Sequence, residues 1–232
     1  LKNHLPFLFS FCCLLCLWII PSTAQIPAAE APLVFPIPQQ LELTGLPFLM
    51  DESVSIIVPD KSSEQDLFLA RFLVRELSDK YGIVVRIEPG SELPADRKVV
   101  LMGSKNNPLV SQYLQKNRLN VSETDPGPEG YLLQVDERQI VVAGWDDPGA
   151  FYGLQSLRQL IDASNATTIP GLKMRDWPNL PFRGIRLYVP GPENMAFFKR
   201  FMRDFMVLYK YNKVILELNC MRLDNHPEVN AG

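Results

Sequence analysis

Short apolar runs alternate with helical patterns through most of the chain. Residues 62–82 have apolar positions near the 3.6-residue spacing of a helix, with Ser62 or Ser63 as its cap and Gly82 at its end. β-Branched runs bounded by turn residues predict strands, and three other segments have helical spacing. The predicted strands are residues 41–45, 54–60, 83–89, 98–104, 130–135 and 139–144, and the other predicted helices are residues 107–117, 146–161 and 193–212.

The first part of this pattern predicts a small α/β layer domain. Its strands alternate with helices, and the polar turn "DER" between residues 130–135 and 139–144 predicts an antiparallel hairpin within the sheet. Asp147 precedes Pro148, an order that favours an N-cap followed by a proline in the first helical turn. Residues 162–181 are predicted to be a loop-rich connector. We therefore assign residues 41–165 to an α/β domain whose sheet is partly antiparallel.

The second part of the pattern predicts a different unit. Residues 183–189 and 213–219 are predicted strands on either side of the helix at 193–212, and strand–helix–strand is the unit of a parallel sheet. A complete (β/α)8 TIM barrel needs about 250 residues. Residues 166–232 are therefore long enough only for the first βαβ unit of such a barrel.

The N-terminus is predicted to be a secretory signal peptide. Lys2 and His4 precede an apolar run at residues 5–20, and the small residues of "PSTAQ" follow it, which predicts cleavage after Ala24. A membrane anchor is the alternative, but a span needs about 20 apolar residues. This layout predicts a secreted or periplasmic protein, with residues 25–40 as a Pro- and Ala-rich leader.

Removal of residues 1–24 changes which function classes remain open. Cys12, Cys13 and Cys16 are lost, so Cys220 has no partner for an internal disulfide. A lipid-anchored cysteine is a weaker alternative, because no small residue immediately precedes any of the three. His226 becomes the only histidine, which argues against a Ser–His triad or a histidine-rich metal site. A net charge of −3 with scattered basic residues argues against nucleic acid as a partner.

Three stretches resemble glycoside hydrolase family 20, the β-N-acetylhexosaminidases. "EGYLLQVDERQIVVAGWDDPGAFYGLQSLRQLI" at 129–161 is similar to the last hairpin and helix of that family's non-catalytic N-terminal domain. "IPGLKMRDWPNLPFRGIRLYV" at 169–189 resembles the start of the family's barrel, and "KYNKVILEL" at 210–218 resembles its second barrel strand. The resemblance implies an accessory domain followed by a (β/α)8 catalytic barrel that needs no cofactor.

The resemblance also implies where substrate would bind, and it has departures. Arg183 of the Arg-Gly pair would hold the terminal sugar, a task that suits a planar guanidinium with several donors. Tyr188 stands where the family has an aspartate, and Ile215 and Glu217 stand where it has histidines. In a barrel, residues at the C-terminal strand ends form the active site. The polar residues in or after the second strand, which we predict to bind substrate with Arg183, are Glu217, Asn219, Asp224 and His226.

Each of these residues has a structural alternative. Arg183 could form a salt bridge at the start of its strand, Glu217 could pair with a neighbouring lysine or arginine, and residues 224–227 could be a plain turn. The family's catalytic pair is an Asp followed directly by a Glu. The same dipeptide occurs at Asp51-Glu52 and at Asp136-Glu137. Both pairs lie in predicted turns of the first domain, so we interpret them as solvated turn residues and expect the acid/base pair beyond Gly232.

The implied function is hydrolysis of terminal β-linked N-acetylhexosamine or a related sugar by the full-length protein. Two alternatives remain open: a non-catalytic carbohydrate-binding or scaffold module, and a related barrel hydrolase such as an α-glucuronidase or an O-GlcNAcase relative. Residues 31–165 alone are expected to unfold cooperatively, whereas residues 166–232 alone are not, because the βαβ unit would expose its sheet edge. Neither the linkage nor the oligomeric state follows from the sequence.

Overall fold

The computed structural model describes residues 32–163 and 168–217, together with Asn225 and Glu228. The described residues form a seven-stranded sheet, called the large sheet here, and a two-stranded sheet, called the small sheet. The large sheet contains β1 (Gln40–Leu49), β2 (Ser55–Pro59), β3 (Arg86–Gly90), β4 (Val99–Ser104), β5 (Tyr131–Val135), β6 (Gln139–Gly144) and β7 (Thr168–Asp176). The small sheet contains β8 (Gly184–Tyr188) and β9 (Lys213–Glu217), and the helices are α1 (Glu64–Tyr81), α2 (Pro108–Lys116), α3 (Asp147–Ala163) and α4 (Met195–Phe201).

The large sheet has the order β1-β7-β5-β6-β4-β2-β3. Its strands β3, β2, β4 and β6 run parallel to one another, whereas β5 is antiparallel to both β6 and β7, and β7 is antiparallel to β1. The hairpin of β5 and β6 pairs Tyr131 with Gly144 and Val135 with Ile140. The prediction of an α/β domain with a partly antiparallel sheet is therefore confirmed.

Helices cover both faces of the large sheet. Successive side chains of a strand point to opposite faces, so Ile56 packs in the core cluster of α1 and α3 while Ile57 packs in the cluster of α2. In β4, likewise, Val100 belongs to the first cluster and Leu101 to the second. Burial on both faces explains why these strands are continuous apolar runs rather than alternating ones.

The segment after α3 corrects a prediction. We expected a loop-rich connector at 162–181, but residues 168–176 form β7, which lies between β1 and β5 in the large sheet. Ile169, Leu172 and Met174 are buried there. The sequence misled because Pro170 and Gly171 indicate a loop, whereas in the structure they lie where the pairing with β1 is irregular, between the partners Gly171–Gly45 and Ile169–Phe48.

The helix caps decide between sequence alternatives. Ser63 rather than Ser62 caps α1: its hydroxyl accepts from the backbone N–H of Asp66, and the Asp66 carboxylate accepts from the Ser63 N–H, a reciprocal capping box. At α3 the predicted cap Asp147 is wrong by one residue. The carboxylate of Asp146 accepts the Gly149 N–H at 2.8 Å, so Asp146 is the N-cap.

The small sheet is a parallel pair, as predicted for a strand–helix–strand unit. Gly184 pairs with Lys213 and Tyr188 with Glu217. The single long helix predicted between the strands is wrong in detail: a 3-10 turn at Pro192–Asn194 precedes α4, and a π-helical turn at Met202–Met206 follows it. Phe201 stacks on Phe205 at a centroid distance of 5.0 Å, so the i, i+4 aromatic spacing persists through the change of helix type.

Several predictions concern residues outside the described part of the chain. The signal peptide at 1–24 and the first residues of the leader lie there, as do Asn219, Asp224 and His226. The division of the chain into signal peptide, leader, accessory domain and barrel start stays a prediction. Across 32–163 and 168–217, no helix is long and apolar enough to cross a membrane, and no group of three or more His, Cys, Asp or Glu could hold a metal ion.

Candidate functional site

Polar side chains from both sheets meet at the N-terminal ends of β8 and β9. We call this place the junction and define it by Glu129, Asp176, Arg183, Lys210 and Asn212. Glu129 precedes β5 and Asp176 ends β7 of the large sheet. Arg183 precedes β8 of the small sheet, and Lys210 and Asn212 lie in the turn before β9. All of these except Asn212 line a cavity of about 160 Å³, whose other lining residues include Tyr131, Tyr152 and Trp177.

Arg183 is held on several sides by protein acceptors. Its guanidinium contacts a Glu129 carboxylate oxygen at 2.6 Å, and it donates to the backbone oxygens of Lys210 and Leu180 at 2.9 Å each. The guanidinium carbon also lies 5.2 Å from the ring centroid of Tyr152, a cation–π contact. Three of its five N–H donors are thus occupied by the protein itself.

Local backbone geometry aims Glu129 at Arg183. Glu129 has a φ of 60°, in the left-handed region, and it follows Gly127, which has a φ of 79°. The backbone N–H of Glu129 donates to both carboxylate oxygens of Asp146, at 3.2 and 3.1 Å. Asp146 therefore caps α3 and fixes the turn before β5 at the same time, and this turn directs the Glu129 side chain towards the small sheet.

Lys210 is a buried cation with two partners. It is 5% exposed, and its ammonium donates to a carboxylate oxygen of Asp176 and to the hydroxyl of Tyr131, both at 2.8 Å. Burial lowers the pKa of Lys210, although the charge of Asp176 acts in the opposite direction. Burial raises the pKa of the Tyr131 phenol, and the negative charge of Asp176 adds to this effect. Tyr131 thus stays a neutral link between Lys210 and Ser156, whose hydroxyl is 2.6 Å away.

The junction has the chemistry of a connector. Each of its two cations is paired with a carboxylate, at 2.6 Å for Arg183 and 2.8 Å for Lys210. Asn212 donates to Glu129 at 3.1 Å and accepts the Arg183 backbone N–H at 2.9 Å. Because the charged groups are matched, none of them is an unengaged base or nucleophile. This arrangement suits holding two parts of the chain together.

Glu217 lies at the other end of the small sheet. It ends β9 and forms an ion pair across the strands with Arg186, which also lies near the Tyr188 hydroxyl. Arg183 precedes β8, so the two predicted substrate-binding residues are separated by the length of the strand, roughly 16 Å for five residues. The structure does not bring Arg183 and Glu217 together. Whether either residue binds a sugar stays a prediction.

The two Asp-Glu pairs lie in turns, as predicted. Asp51 accepts the Ser53 N–H at 2.9 Å and the Lys98 ammonium at 2.7 Å. Asp136 accepts the backbone N–H groups of Arg138 and Gln139, at 2.8 and 2.9 Å, in the hairpin turn between β5 and β6. The oxygens of the two aspartates are thus used by turn N–H groups and, in Asp51, also by Lys98.

A larger cavity of about 600 Å³ lies beside this hairpin turn and α2. Tyr113 lines it and donates to Gln134 at 2.7 Å. Burial raises the pKa of Tyr113 to about 12, and the negative charge of Asp136 contributes. No described contact near this cavity points to a ligand.

The pH dependence of the free energy of unfolding should show the effect of Tyr113. Between pH 10 and 12 the Tyr113 phenol keeps its proton in the folded state and releases it in the unfolded state, so the free energy of unfolding falls as the pH rises. We expect Tyr113→Phe to make that fall less steep in urea unfolding measured from pH 9 to 12. The matched control is Tyr188→Phe, which removes an exposed phenol. An unchanged slope for Tyr113→Phe would contradict this assignment.

Comparison with known proteins identifies the family. The family model for glycosyl hydrolase family 20, domain 2, matches residues 31–177, more than half of the chain. The chain belongs to glycoside hydrolase family 20. This family 20 chain is 29% identical over 199 residues to a beta-hexosaminidase of Porphyromonas gingivalis, a match that covers 81% of the chain and 23% of that protein.

Solved structures of other proteins share the fold of this chain. The family 20 β-N-acetylhexosaminidase of Streptomyces coelicolor matches with a TM-score of 0.58 and 22% identity, over 79% of this chain and 34% of that one. The structure of CpGH84D matches with a TM-score of 0.64 and 20% identity, over 86% of this chain and 34% of that one. At these identities the likeness shows the fold alone. The chain spans about a third or less of the proteins it matches.

Four residues of the junction, all except Arg183, were not among the predicted site residues. Glu129 and Lys210 begin two of the stretches that resemble family 20, and Asp176 lies in a third, so the sequence contained a signal for them. That signal could not be interpreted as a cluster, because Glu129 and Lys210 are 81 positions apart in the sequence, 129 against 210. Their proximity depends on the packing of the small sheet against the large one.

Proposed function

We propose that this chain is the N-terminal part of an exported glycoside hydrolase that removes terminal β-linked N-acetylhexosamine or a related sugar. Residues 1–24 would be its signal peptide, residues 41–165 with β7 its accessory domain, and β8, α4 and β9 the start of a (β/α)8 barrel. Support comes from membership of family 20 and from the curated beta-hexosaminidase relative. The substrate would be a glycan or oligosaccharide, and the localisation secreted or periplasmic.

The observation that carries the barrel proposal is the solvent exposure of the small sheet. Ile215 and Leu216 of β9 are 55% and 52% exposed, and Phe197 of α4 is also exposed. All-parallel sheets occur almost only with both faces covered, and two strands alone are marginally stable. A barrel would supply the missing strands and helices, and it would place the C-terminal ends of β8 and β9 at the substrate face.

The catalytic step would depend on residues beyond Gly232. In the reaction that the resemblance implies, the acetamido oxygen of the sugar attacks the anomeric carbon while a carboxylic acid protonates the leaving oxygen, and the configuration is retained. Asp51 and Asp136 lie in turns between strands of the large sheet, where turn N–H groups occupy their carboxylates, so neither Asp-Glu pair would supply that acid. Glu217, and the polar residues that follow β9 in the sequence, would contribute to substrate binding.

Activity of the full-length protein tests the proposal. We expect it to release p-nitrophenol from p-nitrophenyl N-acetyl-β-D-glucosaminide. NMR should show the β-anomer of the sugar as the first product. The matched control is residues 1–232 alone, for which we expect no turnover because the acid/base pair is absent. A full-length protein that binds but never cleaves a panel of β-N-acetylhexosaminides would refute the enzymatic proposal.

A non-catalytic carbohydrate-binding or scaffold role is the second candidate. The observation that favours it is Tyr188, which stands at the C-terminal end of β8 where the family has an aspartate and is 56% exposed. Related barrel hydrolases, such as an α-glucuronidase or an O-GlcNAcase relative, form a further alternative. Including an α-glucuronide and an O-GlcNAc peptide in the same assay separates these from the main proposal.

A further inference from the structure

We infer that the large sheet acts as an intramolecular clamp, which holds the N-terminal ends of β8 and β9 in place through the junction residues. The partner of this surface is the segment 183–212 of the same chain. This inference goes beyond the proposed function, because it holds whether or not the full-length protein cleaves a sugar. It assigns a task to the family 20 domain itself: ordering the small sheet.

The first support is the Lys210–Asp176 pair. The two side chains are only 7% and 9% exposed, and they join the turn before β9 to the end of β7 at 2.8 Å. A buried ion pair adds little net stability, but removing one partner strands the other charge in a desolvated place. The pair therefore fixes which part of the turn before β9 lies against the end of β7, and a variant that removes either partner should loosen this contact. Lys210 also has a φ of 61°, in the left-handed region that residues other than glycine rarely adopt.

The second support is a separate set of contacts around Glu129. One carboxylate oxygen binds Arg183 at 2.6 Å, and the other accepts from the Asn212 amide at 3.1 Å. Arg183 directly precedes β8 and Asn212 directly precedes β9. The Arg183 backbone oxygen in turn accepts the Asn212 N–H at 3.0 Å. A single side chain of the large-sheet unit thus fixes the beginnings of both strands.

The rest of the small sheet shows why such a clamp is needed. Arg186 and Leu216 are exposed, and β8 pairs with β9 alone among the described strands. A further contact between the two sheets' segments comes from Gln159 of α3, which donates to the Leu208 oxygen at 3.1 Å, and Met206 of the π-helical turn is buried. Because the clamp grips only the N-terminal strand ends, it leaves the C-terminal ends open, where barrel proteins bind substrates.

Hydrogen exchange of the 232-residue chain, followed by mass spectrometry, tests the clamp. The variants are Lys210→Met, which leaves Asp176 unpaired, and the milder Glu129→Gln, which removes the charge opposite Arg183. We expect amides of residues 184–188 and 213–217 to exchange at least tenfold faster in both variants, while residues 99–104 and 139–144 keep their protection. The matched control is Glu88→Gln, which breaks a surface ion pair with Arg97 and should leave the small sheet unchanged.

Three outcomes would overturn the inference. The small sheet could be unprotected already in the unchanged chain, which would mean that the contacts do not order it. Its exchange could be the same in Glu129→Gln as in the Glu88→Gln control. Finally, Glu129→Gln could accelerate exchange equally in both sheets. The Glu129 contact would then stabilise the whole fold and not the small sheet in particular. If Lys210→Met unfolds the whole chain, Glu129→Gln alone decides among these results.

Discussion

A chain that ends at residue 165 is expected to show no cooperative thermal unfolding, whereas one that ends at residue 178 should unfold in a single transition. The cut at 165 removes β7, which lies between β1 and β5. Ile169, Leu172 and Met174 are lost from the core, and each buried side chain of this type contributes about 1.5–3 kcal/mol. Their combined loss is comparable to the stability of a typical domain, about 5–15 kcal/mol.

The loss of β7 also removes backbone pairing. β1 has β7 as its partner and lies at the edge of the sheet, so without β7 its ten residues have no neighbouring strand. This result would reverse the expectation from sequence alone, that residues 31–165 suffice for a folded domain. Both fragments should begin at residue 32 and be compared by circular dichroism during heating. A cooperative transition of equal midpoint in both would show that β7 is dispensable.

Gly144→Ala is expected to destabilise the chain by more than about 4 kcal/mol, the range reserved for severe disruption. Gly144 ends β6 directly beneath the first turn of α3. A Cβ there would lie 2.1 Å from the Ala150 nitrogen and 2.6 Å from the Asp146 oxygen, and both are backbone atoms that cannot rotate away. The Asp146 cap of α3 would have to shift, and with it the turn that orients Glu129.

Gly90→Ala is the matched control for this substitution. Gly90 ends the edge strand β3, and a Cβ there would lie 3.4 Å from the Glu92 oxygen and 3.6 Å from an Ile57 methyl group, both ordinary contacts. We expect it to change the free energy of unfolding in urea by less than about 1 kcal/mol. If both variants lost the same free energy of unfolding, the loss would come from replacing any strand glycine and not from the close approach of α3 to Gly144.

Local patterns predicted the elements that their own residues stabilise. The hairpin of β5 and β6 follows from two apolar runs around a polar turn, and α1 follows from its apolar spacing and its Ser63 cap. The π-helical turn at Met202–Met206 was not predicted, because its apolar spacing is compatible with a regular helix. β7 was missed for a different reason: its Pro and Gly favour a loop locally, and only its two neighbours in the sheet compensate for them.

The substrate-binding role of Arg183 and Glu217 stays a prediction, and the structure adds the contacts that their side chains make. The resemblance to family 20 implied a sugar contact for Arg183, and in the structure its side chain forms an ion pair with Glu129. Glu217 was given a pairing with a neighbouring basic residue as its alternative, and it does form an ion pair with Arg186. A motif predicts that a residue matters, but the direction in which its side chain points depends on contacts that are distant in sequence.

The amino-acid pattern alone was sufficient for the α/β class, the hairpin, the parallel strand–helix–strand unit and the resemblance to family 20. These depend on periodicity, turn chemistry and motifs, each confined to a few neighbouring residues. The tertiary structure decided the place of β7, the partners of Arg183 and Lys210, and the separation of Arg183 from Glu217. Those features depend on which segments become neighbours when both faces of the large sheet are buried, and burial is a property of the whole fold.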